Sequence, residues 1–207
     1  AEFKDSSENI NAQNDALFVS RREYGKGLED LLQAIPLIVE TYPSFVLAVA
    51  GSGRALNQYK ELADELKIQL HVRWLGHIQN EELKNVFKES KIFVFTSHFP
   101  EGMPMSMVEA LLYGMPVITT KTRFAVSYLK EEQNVLFIER HDAQQIAQKF
   151  LYLIDNITIQ TKMRKENIDF IRQFSQEKVG NEFSKVYFQM LHKKSTKILR
   201  KDITSNN

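Results

Sequence analysis

Short apolar runs alternate with longer segments of helical period along most of the chain. The runs at residues 16–20, 45–50, 70–75, 92–96, 117–120 and 135–138 are apolar nearly throughout. That composition suits strands covered on both faces rather than strands with one wet side. Between them, segments beginning at Leu28, Ala55, Glu81, Met105, Phe124 and Ala143 carry apolar stripes, as in Leu28, Leu31, Leu32 and Ile35 at i, i+3, i+4 and i+7. The alternation predicts repeated βα units. The fold class is therefore α/β, a Rossmann-like open parallel six-stranded sheet with helices on both faces. Pro36 falls inside the first helical segment and predicts a kink or an early end there, because an interior proline costs ~3 kcal/mol. Further on, Val179, Phe183, Val186, Tyr187, Met190 and Leu191 recur at helical spacing, which leaves one apolar helix face to be covered by the same sheet or by another domain.

Composition narrows the function classes. The 207 residues carry 27 Lys and Arg against 26 Asp and Glu, a net charge of +1, which removes bulk polyanions as the default partner, so no nucleic acid is expected. Zero cysteines exclude thiolate metal sites and cysteine nucleophiles. No apolar run approaches the ~18 residues of a membrane helix. The ends differ from the middle: residues 1–14 are polar and aperiodic and read as a linker, residues 15–194 as the domain, and 195–207 as a basic tail. Lys193, Lys194, Lys197, Arg200 and Lys201 suit either a solvated tail or peripheral contact with an anionic membrane.

In open parallel sheets ligands bind at the carboxyl ends of the strands, so the residues after each run carry the chemistry. After the first comes Ser20-Arg21-Arg22-Glu23-Tyr24-Gly25-Lys26-Gly27, with cations and glycines in one short loop before a helix. Arg can fork onto diphosphate oxygens, Lys supplies a point charge, and the helix start adds backbone donors. After the second, Gly51-Ser52-Gly53 lacks the third glycine of the dinucleotide fingerprint, which disfavours hydride transfer; these glycines serve a tight turn or close approach to a ligand. His77 reads as a loop histidine, with no second His or carboxylate at metal spacing.

The fourth run precedes Glu101-Gly102-Met103-Pro104-Met105-Ser106-Met107-Val108-Glu109. Pro104 suits the first helical position, which leaves the N–H groups of Met105, Ser106 and Met107 free to meet an anion. Paired carboxylates also occur in glycoside hydrolases. A hydrolase has no use for a diphosphate cradle, whereas a transferase taking a sugar from a nucleotide must stabilise a diphosphate leaving group.

With Glu101 and Glu109 separated by seven residues, then Gly114, Pro116 and Val117, and with Arg21 preceding Lys26-Gly27 by five positions, the chain from about Ala16 to Leu191 resembles the retaining glycosyltransferases of family 4. The resemblance implies the C-terminal, nucleotide-sugar-binding half of the two-domain GT-B architecture. It implies that Arg21 and Lys26 hold the donor diphosphate, that Glu101 meets the hydroxyls of the transferred sugar, and that Glu109 meets the ribose. Gly51, backbone groups near Ile78 and the stretch Gly102, Met103, Pro104, Met105 and Ser106 would complete the donor site. No metal and no cofactor beyond the nucleotide-diphospho-sugar substrate is implied. The acceptor, a polysaccharide or lipid-linked glycan, would belong to an N-terminal acceptor-binding domain, with the whole working at the cytoplasmic face of a membrane. An epimerase or phosphorylase of the same architecture, or a non-catalytic nucleotide-sugar-binding module, would share the cradle. Arg123-Phe124 and Ser127 depart from the family pattern, and Arg123 reads either as a third cation for the leaving group or as an exposed arginine on a turn.

Overall fold

A computed structural model of the chain describes residues 12–21 and 23–174. Six strands, β1 (Asn14–Val19), β2 (Leu47–Ala50), β3 (Val72–Gly76), β4 (Ser90–Phe95), β5 (Val117–Thr120) and β6 (Val135–Ile138), form one sheet in the order β3-β2-β1-β4-β5-β6. Every neighbouring pair is parallel. The connections are the helices α1 (Leu28–Thr41), α2 (Leu56–Glu65), α3 (Asn80–Lys88), α4 (Met105–Leu112) and α5 (Arg123–Tyr128), and α6 (Ala143–Asp155) and α7 (Ile157–Ile171) follow the last strand. Two compact units divide after Ile168. The first holds the sheet. Of the second, residues 169–174 are described, ending in the short 3-10 turn Arg172–Phe174.

Alternate strand residues point to opposite faces. Ala16, Phe18, Leu47, Val49, Ile92 and Val94 join Leu31, Leu32 and Ile35 of α1, Ala63 of α2 and Phe150 of α6 in one cluster on the first face. On the other, Phe93 of β4 meets Phe87 of α3 with ring centroids 6.0 Å apart. Burial from both sides is the reason the central residues of these strands, such as 16–18, 47–50 and 92–95, are apolar on successive positions.

Several sequence expectations need correction. The helix bearing Pro36 does not end there but runs on to Thr41. Burial of Leu28, Leu31, Leu32, Ala34, Ile35 and Ile38 holds it together, since each buried large apolar side chain contributes ~1.5 to 3 kcal/mol against the ~3 kcal/mol of the proline. The first strand begins at Asn14, two residues early and inside the expected linker. Its polar start is satisfied: Asn14 Nδ2 donates to Ser90 Oγ at 3.2 Å, and Asp15 accepts from Lys91 at 2.7 Å and from the Val46 N–H at 2.9 Å. The third strand begins at Val72, because residues 69–71 form a 3-10 turn that leaves Leu70 exposed. Helix α7 was not expected from periodicity, and its buried positions include polar Gln160 and Asn167. Asn167 donates to the carbonyls of Met115 and Asn134, so hydrogen bonds replace apolar contacts in the pattern. The expected apolar stripe at Val179–Leu191 and the basic cluster lie outside the described residues.

The strand order reverses at β1, so the loops after β1 and β4 leave the sheet side by side and open a crevice. Two glycines let backbones meet there. Gly27 has φ +76°, and a Cβ on it would lie 2.0 Å from the Thr96 carbonyl oxygen. Gly51 has φ +124°, and its Cβ would lie 1.9 Å from the Ser20 oxygen. Hydrogen bonds from Thr96 Oγ1 to the Gly27 oxygen, 2.7 Å, and from the His98 N–H to the Gly25 oxygen, 2.8 Å, lock the two loops. Gly27→Ala should therefore destabilise the chain by at least about 2 kcal/mol in denaturant unfolding. Gly102→Ala should stay within about 0.5 kcal/mol, because nothing lies within 4 Å of its would-be Cβ.

Candidate functional site

The crevice is a cleft of about 380 Å³ lined by Val19, Ser20, Arg21 and Lys26 from β1 and its loop, by Leu83 from α3, and by Phe95, Glu101, Pro104, Met105, Ser106 and Glu109 from β4 to α4. Of the residues expected at the site, Arg21, Lys26, Glu101, Pro104, Met105, Ser106 and Glu109 come together here. Gly51 does not line the cleft; it packs beneath the Ser20 carbonyl and donates its N–H to the Gly76 oxygen at 2.7 Å. Ile78 stands in the loop after β3, and Gly102 and Met103 are exposed beside the cleft rather than in its lining.

Lys26 and Glu101 pair at 2.7 Å, with side chains only 15% and 17% exposed. The same Glu101 oxygen accepts from Ser97 Oγ at 2.8 Å. Burial alone would raise the Glu101 carboxyl. The hydrogen bonds from Lys26 and Ser97 and the charges of Lys26 and Arg21 outweigh it and hold the group below the ordinary glutamate value. Lys26 also lies 5.2 Å from the Phe99 ring centroid, within cation–π range. Arg21 is different. Its side chain is 73% exposed and touches only Glu23, at 3.4 Å, among the described residues.

Glu109 is inside α4 and half-buried, and its carboxylate has no hydrogen bond or ion pair among the described residues. Burial pushes its pKa up. The two acids thus differ in kind: Glu101 is held ionised by a cation, and Glu109 lacks a hydrogen-bonding partner in the protein.

Pro104 is the N-cap of α4 and not its first helical residue, with φ −71° and ψ 114°. Moving the cap by one position changes the donors: the Met107 N–H is already taken by the Pro104 oxygen at 3.0 Å. Arg123 is exposed and does not line the cleft. Its N–H donates to the Pro100 oxygen at 2.9 Å, and that of Phe124 to the Glu101 oxygen at 3.2 Å. The unusual pair therefore holds the Glu101 loop from α5 through backbone contacts, while Phe124 is buried.

Sequence reasoning missed Ser97, whose hydroxyl orients Glu101, although its place directly after a strand run was a usable signal. It also missed Asp30, His98 and His141, whose ligand atoms all lie within 4.8 Å of one another outside the cleft. Their separations of 68 and 111 residues hide them from any spacing rule.

The family model of the glycosyl transferases group 1 matches residues 1–170. An uncharacterized glycosyltransferase of Methanocaldococcus jannaschii is 30% identical over 141 residues, covering 67% of this chain and 36% of that protein. The poly(glycerol-phosphate) alpha-glucosyltransferase of Bacillus subtilis is 27% identical over 161 residues, covering 77% of this chain and 24% of its own length. The chain thus spans about a third or less of these curated relatives. Among solved structures, S. aureus TarM in complex with fondaparinux, alpha-GlcNAc-glycerol and UDP superimposes with a TM-score of 0.78 over 90% of this chain and 38% of that one, at 18% identity. That likeness concerns the fold alone, a parallel sheet flanked by helices. With its sheet order, its loop motifs and the matched model in agreement, the chain belongs to the glycosyl transferases group 1.

Proposed function

We propose that this chain is the donor-binding domain of a retaining glycosyltransferase that moves a hexose from a nucleoside-diphospho-sugar to a polysaccharide or lipid-linked acceptor. The observation that supports it best is the convergence of Arg21, Lys26, Glu101 and Glu109 on one cleft at the reversal of strand order. As the glycosidic bond to the donor breaks, negative charge grows on the departing diphosphate, and cations fixed beside it lower the barrier. The ammonium of Lys26 has three N–H donors. With one held by Glu101, two remain for phosphate oxygens. Arg21, exposed and loosely paired, can swing its planar fork onto the same group. Glu101, kept ionised, accepts from hydroxyls of the transferred sugar. Glu109 accepts from the vicinal hydroxyls of the ribose.

The acceptor side belongs to a second domain in this reading, consistent with relatives several times longer than the region matched. Catalysis then takes place between the two domains at the cytoplasmic face of a membrane. No helix among the described residues is long and apolar enough to cross a bilayer.

Calorimetric titration with UDP, GDP and ADP should find one base bound by the wild type. Arg21→Ala and Glu109→Ala should each weaken that binding roughly tenfold or more, the effect of losing a charged hydrogen bond. Binding indifferent to both changes contradicts the assignment. Acidification should weaken binding in two stages. Glu109 must be ionised to accept, and its raised pKa means that its share is lost above the pH at which an ordinary glutamate protonates, whereas the share of Glu101 survives to lower pH. Glu109→Gln should remove the higher-pH stage alone in the pH profile of the dissociation constant. Transfer by this chain alone should be negligible in a radiolabelled-donor assay, because nothing brings the acceptor to the reacting carbon.

A further inference from the structure

Near the start of α1, the Asp30 carboxylate is almost wholly buried, and two histidines from distant loops close on it. His98 Nε2 lies 2.6 Å from Asp30 Oδ2 and, facing a carboxylate, donates to it. The backbone N–H of His141 donates to the same oxygen at 3.0 Å, and His141 Nδ1 lies 3.4 Å from Oδ1. The two imidazoles are tilted 57° to one another, with centroids 4.0 Å apart.

A hydrogen-bonding role explains Asp30 and His98 but not the imidazole of His141. Any residue could supply that backbone N–H. His141 also has φ +59°, a left-handed conformation that a side chain larger than glycine adopts only with strain. The strain brings a second imidazole to the edge of a buried carboxylate while its own side chain stays 69% exposed, open to an entering ion.

We propose that Asp30, His98 and His141 form a binding site for a late first-row divalent cation, with Zn2+ the best fit. Two imidazole nitrogens and one carboxylate oxygen favour Zn2+, Co2+ or Ni2+ over Mg2+ and Ca2+, which take oxygen ligands. A tetrahedral ion ~2.0 to 2.1 Å from each ligand sets neighbouring ligands ~3.3 Å apart. His141 Nδ1 already stands 3.4 Å from Asp30 Oδ1 and His98 Nε2 2.6 Å from Oδ2, and with one ligand atom from each residue the three lie within 4.8 Å of one another, so the side chains adjust around the ion by roughly 1.5 Å at most. Ligation through Nε2 leaves Nδ1 of His98 to carry a ring proton, and Glu29 Oε1 stands 3.9 Å from it. A carboxylate behind a ligating imidazole orients it. Water completes the shell. The ion ties α1 to the loops after β4 and β6, and through the His98 N–H it stiffens the loop that carries Lys26. The site lies outside the donor cleft and does not depend on the function assigned to that cleft.

The chelator-stripped full chain, titrated with Zn2+ by calorimetry and with Co2+ by visible absorption, should bind one equivalent of each and gain several degrees in melting temperature with Zn2+. His141→Gly, which relieves the backbone strain and so keeps the fold, should weaken Zn2+ binding by roughly a hundredfold, as should His98→Ala. Absence of stoichiometric binding at micromolar Zn2+, or affinity unchanged in His141→Gly, overturns the proposal. Nucleoside diphosphate binding by the stripped chain reports separately on the donor cleft.

Discussion

Two stretches of backbone come closer at the mouth of the sheet than side chains allow. Where the loops after β1 and β4 meet, the Gly27 Cα takes the space in which any other residue would drive a Cβ into the Thr96 carbonyl. Thr96 and His98 fasten that contact with hydrogen bonds to Gly27 and Gly25. Because the strand order reverses here, this is also where helices and sheet leave a crevice. The glycine after Lys26 is thus an element of architecture: it sets how far the ammonium stands from the loop that bears Glu101.

Electrostatics within the crevice follow from that placement. Lys26 and Glu101 come from opposite loops and neutralise one another in a partly buried setting, where either alone would carry an uncompensated desolvation cost. Ser97 takes part in the same hydrogen-bonding group. Glu109 is the exception, half-buried with its carboxylate unpaired among the described residues, and its raised pKa records the cost of that isolation. A carboxylate kept in that state inside a cleft is what a polyhydroxyl ligand would relieve.

The parallel sheet was legible because β1, β2, β4, β5 and β6 are buried on both faces over most of their length, and apolar runs follow from that. Polar strand starts at Asn14 and Ser90 were not legible, since their partners lie 76 residues apart in sequence. Helix α7 escaped for a related reason: Asn167 fills a core position by hydrogen bonding to Met115 and Asn134. That Arg21, Lys26, Glu101 and Glu109 would meet in one cleft was legible because they stand in or beside the loops at the carboxyl ends of parallel strands. Gly51, read as serving a tight turn or close approach to a ligand, fits beneath the Ser20 carbonyl with φ +124°. Ser97 was overlooked because serine after a strand is common. The trio of Asp30, His98 and His141 exists only once α1 and the two loops converge, and no local pattern announces it.

The most direct test is a crystal structure of the chain soaked with intact nucleoside-diphospho-sugars. Density is expected in the crevice, with both Arg21 and Lys26 on diphosphate oxygens, Glu101 on the sugar and Glu109 bridging the ribose hydroxyls. A donor bound elsewhere on the sheet, or one seated in the crevice with its diphosphate beyond reach of Lys26, would contradict it.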